Sequence, residues 1–133
     1  MAHWLLKSEP QEWSWADQVD AQVSEWDGVR NAQALGYMKE MAVGDTAFFY
    51  HSGKEKRIMG IVEIVRPFYP DPEDPKSGLV DVRALEHLPR PVPLAEIKKD
   101  PAFAEWALVR QPRLSVMPVP DDLWNRICEM GGL

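Results

Sequence analysis

The stretch "WDGVRN" at residues 26–31 places an aromatic ring, a carboxylate, a glycine, a cation and an amide side by side. An indole face can stack on a planar base for about 1–3 kcal/mol, which is comparable with the few kcal/mol needed to extrude a base from a duplex. Gly28 would let the backbone approach such a ring closely, because glycine has no Cβ atom. The stretch predicts a site for a flat ligand, with Trp26 facing an open cleft.

Polar side chains elsewhere in the chain could read the edge of a stacked base through hydrogen bonds. The candidates are Ser8, Asn31, Ser52 and Ser115. Lysine or arginine at the mouth of the site could hold flanking phosphates. The candidates are Lys7, Arg30, Arg110 and Arg113. Two simpler interpretations stay open, since Asn31 can be a plain helix cap and each cation can be a solvated charge or the partner of an acid.

Catalytic motifs are absent from the sequence. It contains no Gly-x-Ser-x-Gly elbow, no phosphate-binding glycine loop and no His-Glu-x-x-His stretch. Ser8 beside Glu9, and His51 beside Ser52, could supply a nucleophile and a base, but spacing alone is a weak indication. With a single cysteine, a thiolate metal site of the usual kind is excluded. We therefore predict no catalytic residue, no metal and no cofactor.

Six tryptophans are many for a chain of 133 residues. Trp4 on an apolar strand, Trp106 at the end of an apolar helix and Trp124 beside Leu123 are interpreted as core residues, because large aromatics are mostly buried. Trp26 differs, since it lies in an acidic, turn-like stretch. It is the tryptophan predicted to contact a ligand.

The charge of the chain argues against broad attraction to a phosphate backbone. The formal net charge is −6, and residues 8–29 contain six of the 21 acids and no lysine or arginine. Because non-specific binding of nucleic acid depends on lysine and arginine, a polyanion should bind only at a small, shaped site. Acids and bases are equal in number elsewhere, so a locally basic surface is compatible with the composition.

The length and composition fit one globular domain over residues 1–133, with 45% hydrophobic and 27% charged residues. No apolar run approaches the roughly 20 residues of a spanning helix, and no signal peptide is recognisable. We expect no membrane partner and a cytoplasmic location, or a nuclear one in a eukaryote. The lone Cys128 fits a reducing compartment.

The elements that must position these residues follow from local patterns. "HWLLK" predicts a strand ending before Pro10, Ser14 with Asp17 predicts a capped helix to about Val23, and Asn31 predicts the cap of a helix through Met41. "DTAFFYHS" and "RIMGIVEIVRPF" predict a hairpin around "GKEK".

The second half predicts further strands and short helices. The proline-rich residues 67–78 predict a surface loop, because proline cannot donate to a sheet. "LVDVRALEHL" and "RLSVMPV" predict strands, and residues 93–108 predict two short helices split at Pro101. Asp121 predicts the cap of a final helix. The sum indicates an α+β fold, a small mixed or antiparallel β-barrel with helices outside.

Several motifs together resemble the EVE domain family, within the PUA-like group that also contains the ASCH and YTH domains. They are "WLLKSEP" at 4–10, "WDGVRN" at 26–31, "VGD" with "FFYHS" at 43–52, "GIVEIV" at 60–65 and "LVRQPRLSVMPV" at 108–119. The resemblance implies a PUA-like β-barrel with flanking helices, no catalytic machinery, and a pocket for a modified base turned out of DNA or RNA.

The resemblance also implies which residues line this pocket. They are Lys7, Ser8, Glu9, Trp26, Gly28, Val29, Arg30, Asn31, Tyr50, His51, Ser52 and Ser115, with Arg110, Gln111, Arg113 and Leu114 at the phosphate-facing rim. His51 would donate to a base carbonyl or a phosphate, although it could instead be an ordinary residue at the end of a strand.

Two other classes of function stay open. A PUA-like nuclease or amide hydrolase could use Lys7, Glu9 and His51 as base and charge stabiliser if these side chains converge. A protein-binding module could use the acidic residues 8–29 as its contact surface. We favour a non-enzymatic reader of a flipped, modified nucleobase, whose partner is nucleic acid.

Overall fold

The computed structural model describes residues 1–133 as six strands, five α-helices and one short 3-10 helix. The first half contains β1 (His3–Ser8), α1 (Trp15–Ala21), β2 (Val23–Trp26), α2 (Ala32–Glu40) and β3 (Thr46–His51). The second half contains β4 (Arg57–Asp71), β5 (Asp74–Pro93), α3 (Leu94–Lys99), the 3-10 helix (Pro101–Phe103), α4 (Ala107–Arg110), β6 (Val116–Pro118) and α5 (Asp121–Met130). The predicted α+β class is confirmed.

All six strands belong to one mixed sheet in the order β2-β5-β4-β3-β1-β6. Only β1 and β3 run parallel, and the other neighbours are antiparallel. A parallel pair needs a long connection, and residues 9–45 supply it with α1, β2 and α2. Ser8 therefore ends β1 just before this connection and Trp26 lies within it, although β1 and β2 do not pair.

The predicted helix starts are confirmed in the first half of the chain. Ser14 accepts from the Asp17 amide while Asp17 accepts from the Ser14 amide, which forms a capping box at the start of α1. The Asn31 side chain accepts from the Ala34 amide at 3.0 Å and caps α2. Each of these side chains satisfies an amide that the helix leaves unpaired.

The prediction of a surface loop at residues 67–78 is wrong. β4 continues to Asp71, and β5 starts at Asp74, so these residues form the tip of a long hairpin. The register between the two strands shifts at several points, including between Arg66 and Tyr69 and between Pro70 and Asp71. Prolines fit where the ladder is already interrupted, because no amide is then missed.

The C-terminal helices depart from the prediction in two places. The second helix predicted within residues 93–108 is only the 3-10 helix Pro101–Phe103, and a separate α4 begins at Ala107. Pro101 separates α3 from the 3-10 helix as expected, with Asp100 accepting from the Ala102 amide. Asp121, however, is the first residue of α5 and does not cap it; Pro120 holds the cap position and makes no side-chain hydrogen bond. Asp121 still favours the helix, since an acid in the first turn complements the helix dipole.

One cluster of 32 buried residues forms the core. Trp4, Trp106 and Trp124 are all buried within it, which confirms their interpretation as core residues. No helix combines the length and the apolar composition that crossing a membrane requires.

Candidate functional site

A hollow of about 640 Å³ opens between the end of β1 and the end of β2. It is lined by Lys7, Ser8, Glu9, Glu12, Trp13, Ser24, Glu25, Trp26, Asp27, Gly28, Val29 and Ser115. We call it the base hollow. It brings together seven of the predicted pocket residues, from three separate motif stretches.

The end of β1 is fixed by hydrogen bonds on both sides. The Lys7 amide donates to the Ser115 carbonyl at 2.9 Å, and the Ser52 amide donates to the Ser8 carbonyl at 2.9 Å. The Ser8 hydroxyl donates to the Trp13 carbonyl, which folds residues 9–13 back over the strand end. This hydroxyl already has an acceptor, so towards a ligand it offers only its oxygen lone pair.

Gln18 of α1 connects the two walls of the base hollow. Its side chain is fully buried, and its Oε1 accepts from the Trp13 indole Nε1 at 2.9 Å and from the Ser24 hydroxyl at 2.7 Å. Its Nε2 donates to the Gln22 carbonyl at 3.1 Å. One amide therefore sets the orientation of the Trp13 ring against β2.

Trp26 does not face an open cleft, contrary to the sequence-based expectation. Only 5% of it is exposed, and its ring packs edge-on against Phe49 with the centroids 5.3 Å apart. The pairing of β3 beside β4 places Phe49 in the core, where it supports the indole. Both tryptophans line the base hollow, but Trp13 is only partly buried and is therefore the more accessible of the two.

The turn after Trp26 borders the base hollow and leaves open space at Gly28. Gly28 has φ +78°, and a Cβ atom placed there would meet nothing within 4 Å. Glycine suits this left-handed conformation, and its backbone is accessible to a ligand. The next residue is anchored, because the Val29 carbonyl accepts from the buried Ser77 hydroxyl at 2.7 Å.

Charges are unequally distributed around the base hollow. Four of its lining residues are carboxylates, namely Glu9, Glu12, Glu25 and Asp27, and Lys7 is the one cation. The Lys7 ammonium donates to the Pro112 carbonyl at 2.9 Å and lies 5.6 Å from the centre of the Tyr50 ring. Burial lowers the pKa of Lys7. The hollow therefore disfavours a phosphate inside it and suits a neutral ring with amino donors.

Arg30 and Asn31 lie outside the base hollow, which corrects the expectation that they line it. Arg30 pairs with Asp74 at the tip of the β4–β5 hairpin, with Nη2 2.7 Å from the carboxylate. Asn31 is occupied as the cap of α2 and borders a separate hollow with Gln33 and Gln111. The chain turns away after Gly28, so the second half of "WDGVRN" points elsewhere.

His51 is also outside the base hollow and has a different task. It is 5% exposed, and its Nε2 accepts from the Trp15 amide at 2.9 Å while its Nδ1 lies 2.9 Å from Glu55. Because Nε2 accepts, Nδ1 carries the proton and donates it to Glu55. The hydrogen bond from His51, with that from Arg57, holds the pKa of Glu55 below its usual range. His51 fixes the start of α1.

The remaining predicted residues surround a neighbouring hollow or are engaged. Tyr50, Ser52 and Arg113 line a second hollow of about 340 Å³ together with Lys7. Arg110 pairs with Glu105 at 3.2 Å, and Leu114 is buried. Gln111 lies beside Arg113 in the hollow that Asn31 borders. The four residues predicted at the phosphate-facing rim therefore do not form one surface: two are exposed beside hollows, one is in an ion pair and one is buried.

The structure gives no support to the catalytic alternative based on Lys7, Glu9 and His51. Both ring nitrogens of His51 are occupied, and Lys7 donates to a backbone carbonyl. Glu9 lies against the turn at Gly53, where an added Cβ would be 2.6 Å from its carboxylate. No group of three or more histidine, cysteine, aspartate or glutamate side chains is placed to hold a metal ion.

The predicted pocket does not include five residues that line the base hollow, nor Gln18, which orients two of them. The five are Glu12, Trp13, Ser24, Glu25 and Asp27. Trp13 carried a usable signal, because it lies in a polar, non-helical stretch just before the helix cap Ser14, as Trp26 lies just before a turn. The sequence signal for Gln18 is weaker: it lies three positions after Trp15, and this spacing places a polar side chain on the buried side of α1.

Comparison with known proteins gives one family and several similar structures. The sequence profile of the EVE domain matches residues 2–130. Thymocyte nuclear protein 1 of Homo sapiens is 32% identical over 166 aligned residues, which cover 97% of this chain and 73% of that protein.

Three solved structures show the fold. A protein from Agrobacterium tumefaciens has a TM-score of 0.96 at 42% identity, covering 100% of this chain and 94% of that one. Human THYN1 in complex with 5-methylcytosine-containing DNA has a TM-score of 0.87 at 30% identity, covering 100% and 99%. An ASCH protein from Zymomonas mobilis shares the fold at 12% identity, with a TM-score of 0.62 and coverage of 97% and 95%. These likenesses confirm the predicted PUA-like class.

Proposed function

The chain belongs to the EVE domain family, as its motifs predicted, and from this premise we propose that it is a non-enzymatic reader of nucleic acid. In this proposal the 133 residues act as one domain, and a flipped, modified nucleobase enters the base hollow. The human relative, whose structure contains 5-methylcytosine DNA, makes that base the first ligand to test. RNA with a modified base is the second.

The observation that carries the proposal is the base hollow itself. Its volume of about 640 Å³ falls in the range of small-molecule sites, and two indoles, Trp13 and Trp26, contribute to its walls. Stacking on an aromatic side chain is worth about 1–3 kcal/mol per base, which offsets much of the cost of extruding one. Trp13 is the more accessible of the two and is therefore the first candidate for stacking, with the buried Trp26 also in the lining.

The charge of the hollow supports a base with an exocyclic amino group. Cytosine and adenine carry such a group, and a carboxylate is a good acceptor for the cytosine amino hydrogens. Glu12 and Asp27 lie directly beside Trp13 and Gly28 in the chain, and Glu9 and Glu25 lie within four residues of them. Thymine presents no amino group on its pairing edge, so we expect it to bind more weakly.

We also propose where the protein is located in the cell and that it binds its ligand without catalysing a reaction. The human relative is named thymocyte nuclear protein 1, and we propose a cytoplasmic location for this chain, or a nuclear one in a eukaryotic cell. The engaged ring nitrogens of His51 support a binding role over a nuclease or hydrolase role.

The proposal is tested with two DNA duplexes that differ in one 5-methylcytosine. We expect tighter binding to the modified duplex, measured by the anisotropy of a label on the DNA, and a Trp13→Ala variant should lose most of the difference. Trp106→Phe is the control, because Trp106 is buried away from the hollow and donates to the Pro118 carbonyl. Equal affinity of the unmodified protein for both duplexes, and for matched duplexes with a modified adenine, would disprove modified-base reading.

A further inference from the structure

The second hollow adjoins the base hollow and has the opposite charge. It measures about 340 Å³ and shares Lys7 and Ser115 with the base hollow. Its charged lining residues are Lys7, Lys56, Lys98 and Arg113, and no carboxylate lines it. We call it the cationic hollow.

The fold brings the four cations together from separate parts of the chain. The Leu94 amide donates to the Lys56 carbonyl at 2.8 Å, which fixes the β3–β4 turn against the start of α3. Lys98 lies one helical turn after Leu94, on the same side of α3. Lys7 reaches the loop that carries Arg113 by donating to the Pro112 carbonyl.

None of the four cations has a carboxylate partner. The arginines at 30, 57, 83, 110 and 126 pair with acids, whereas Arg113 and all the lysines form no salt bridge. Lys7, Lys56, Lys98 and Arg113 differ from the other unpaired cations because they line one hollow. In a chain with a net charge of −6, unpaired cations that converge on one concavity repel each other until an anion neutralises them. Glu9 lines the base hollow, and its carboxylate lies against Gly53, which lines the cationic hollow, so Glu9 stands at the boundary between the two.

We propose that the cationic hollow binds backbone phosphates of the strand whose base occupies the base hollow. This inference rests on the proposed function and extends it to Lys56 and Lys98, which no motif of the chain singles out. Lys7 and Ser115 lie between the two hollows, at the junction of base and backbone. The four carboxylates that line the base hollow repel phosphates, whereas no carboxylate lines the cationic hollow, so the strand leaves the base hollow on the cationic side.

The test uses charge-neutralising variants with matched controls on the same elements. Lys98→Gln keeps a good helix former in α3, and Lys56→Asn suits the left-handed φ of +47° at that turn. The controls are Lys99→Gln and Lys54→Asn, which remove the same charge. Lys99 borders a different hollow with Glu96 and Asp100, and Lys54 does not line the cationic hollow.

Binding to a 5-methylcytosine duplex is measured over salt concentrations from about 50 to about 300 mM. Each lost phosphate contact reduces the slope of log affinity against log salt by about 0.9, so the Lys56→Asn, Lys98→Gln pair should reduce it by about 1.8. At the lowest salt we expect a loss of at least about tenfold, equal for modified and unmodified duplexes, because phosphate contacts carry no base information. Binding of the nucleoside 5-methyldeoxycytidine, which has no phosphate, should be unchanged.

The outcomes separate the two proposals. An unchanged slope, or a slope reduced equally by the Lys54→Asn, Lys99→Gln control pair, would overturn the cationic hollow while leaving base reading intact. A reduced slope in a protein that does not distinguish modified from unmodified DNA would support the cationic hollow and overturn base reading. Loss of nucleoside binding in the Lys56→Asn, Lys98→Gln pair would also count against a phosphate role.

Discussion

Gln18 shows how one side chain sets the shape of the base hollow. Its Oε1 accepts from both Trp13 and Ser24, and its Nε2 donates to the Gln22 carbonyl, so all its polar atoms are used in a fully buried position. Buried polar groups of this kind are retained only with their partners, because an unpaired one costs about 1–3 kcal/mol. Trp13 thereby has a fixed ring orientation at a partly open position.

We predict that Gln18→Leu destabilises the fold by about 2 kcal/mol, because it leaves the Trp13 indole and the Ser24 hydroxyl without their acceptor. It should also reduce the ratio of affinities for modified and unmodified DNA, measured at a temperature where the variant is fully folded. Gln18→Glu keeps the acceptor and loses the donor to Gln22, so it should retain the ratio despite lower stability. A ratio that falls equally in both variants would show that Gln18 does not act through Trp13.

At the scale of the elements, the start of α1 depends on a side chain from β3. The His51 Nε2 accepts from the amide of Trp15, which is the first residue of the helix, and the Ser14–Asp17 capping box satisfies neighbouring groups. His51 at the end of β3 pairs with Ser8 at the end of β1 in the parallel register, so two neighbouring strand ends carry the helix anchor and one wall of the base hollow.

We predict that His51→Phe frees the Trp15 amide and speeds its hydrogen exchange, with a loss of stability of about 1–2 kcal/mol. His51→Gln should restore part of the protection, because its side-chain oxygen can accept from the same amide. The measurement is amide exchange by NMR together with urea unfolding. Unchanged exchange at Trp15 in His51→Phe would contradict the anchoring role.

The sequence predicts well the elements whose causes are local. Ser14 and Asn31 are recognisable as caps because each cap and the amide it satisfies lie three residues apart. The burial of Trp26 does not follow from its neighbours in the chain, because it depends on Phe49, which reaches it through strand pairing. The strands at residues 67–78 do not follow from their prolines, because the interruptions in the β4–β5 register are a property of the paired strands. Motif resemblance identified both ends of the base hollow, but spacing could not show that residues 30 and 31 turn away from it.

At the scale of the whole molecule, Asp45 joins three parts of the fold. Its carboxylate accepts from the Ala2 amide at 3.1 Å, the Trp4 indole at 3.0 Å and the Ala42 amide at 3.0 Å. Burial alone would raise the pKa of Asp45, but these hydrogen bonds outweigh it and hold the pKa below its usual value. The chain start, β1 and the α2–β3 loop thus share one ionised acceptor.

We predict an acid-sensitive contribution to stability from Asp45. Because the folded pKa is lower than the unfolded value of about 3.9, the contribution is complete above that value and is lost as the pH falls through the folded pKa. Asp45→Asn should cost about 2 kcal/mol near neutral pH, since its amide group faces three donors with one acceptor atom. Urea unfolding at about pH 7 and about pH 3 should show that the difference in free energy of unfolding between the parent protein and Asp45→Asn is smaller in acid. An equal difference in free energy of unfolding at both pH values would exclude a contribution from the ionisation of Asp45.

The acidic base hollow and the cationic hollow lie side by side, so the surface that contains them carries a local electric dipole. A strand that drifts towards it experiences a torque as well as a pull, so encounters are oriented before any atom touches. Productive collisions would then be a larger fraction of all collisions than random orientation allows, and this advantage would fade as dissolved ions shorten the reach of the field. An acidic protein can in this way search a polyanion quickly without adhering to every stretch of it.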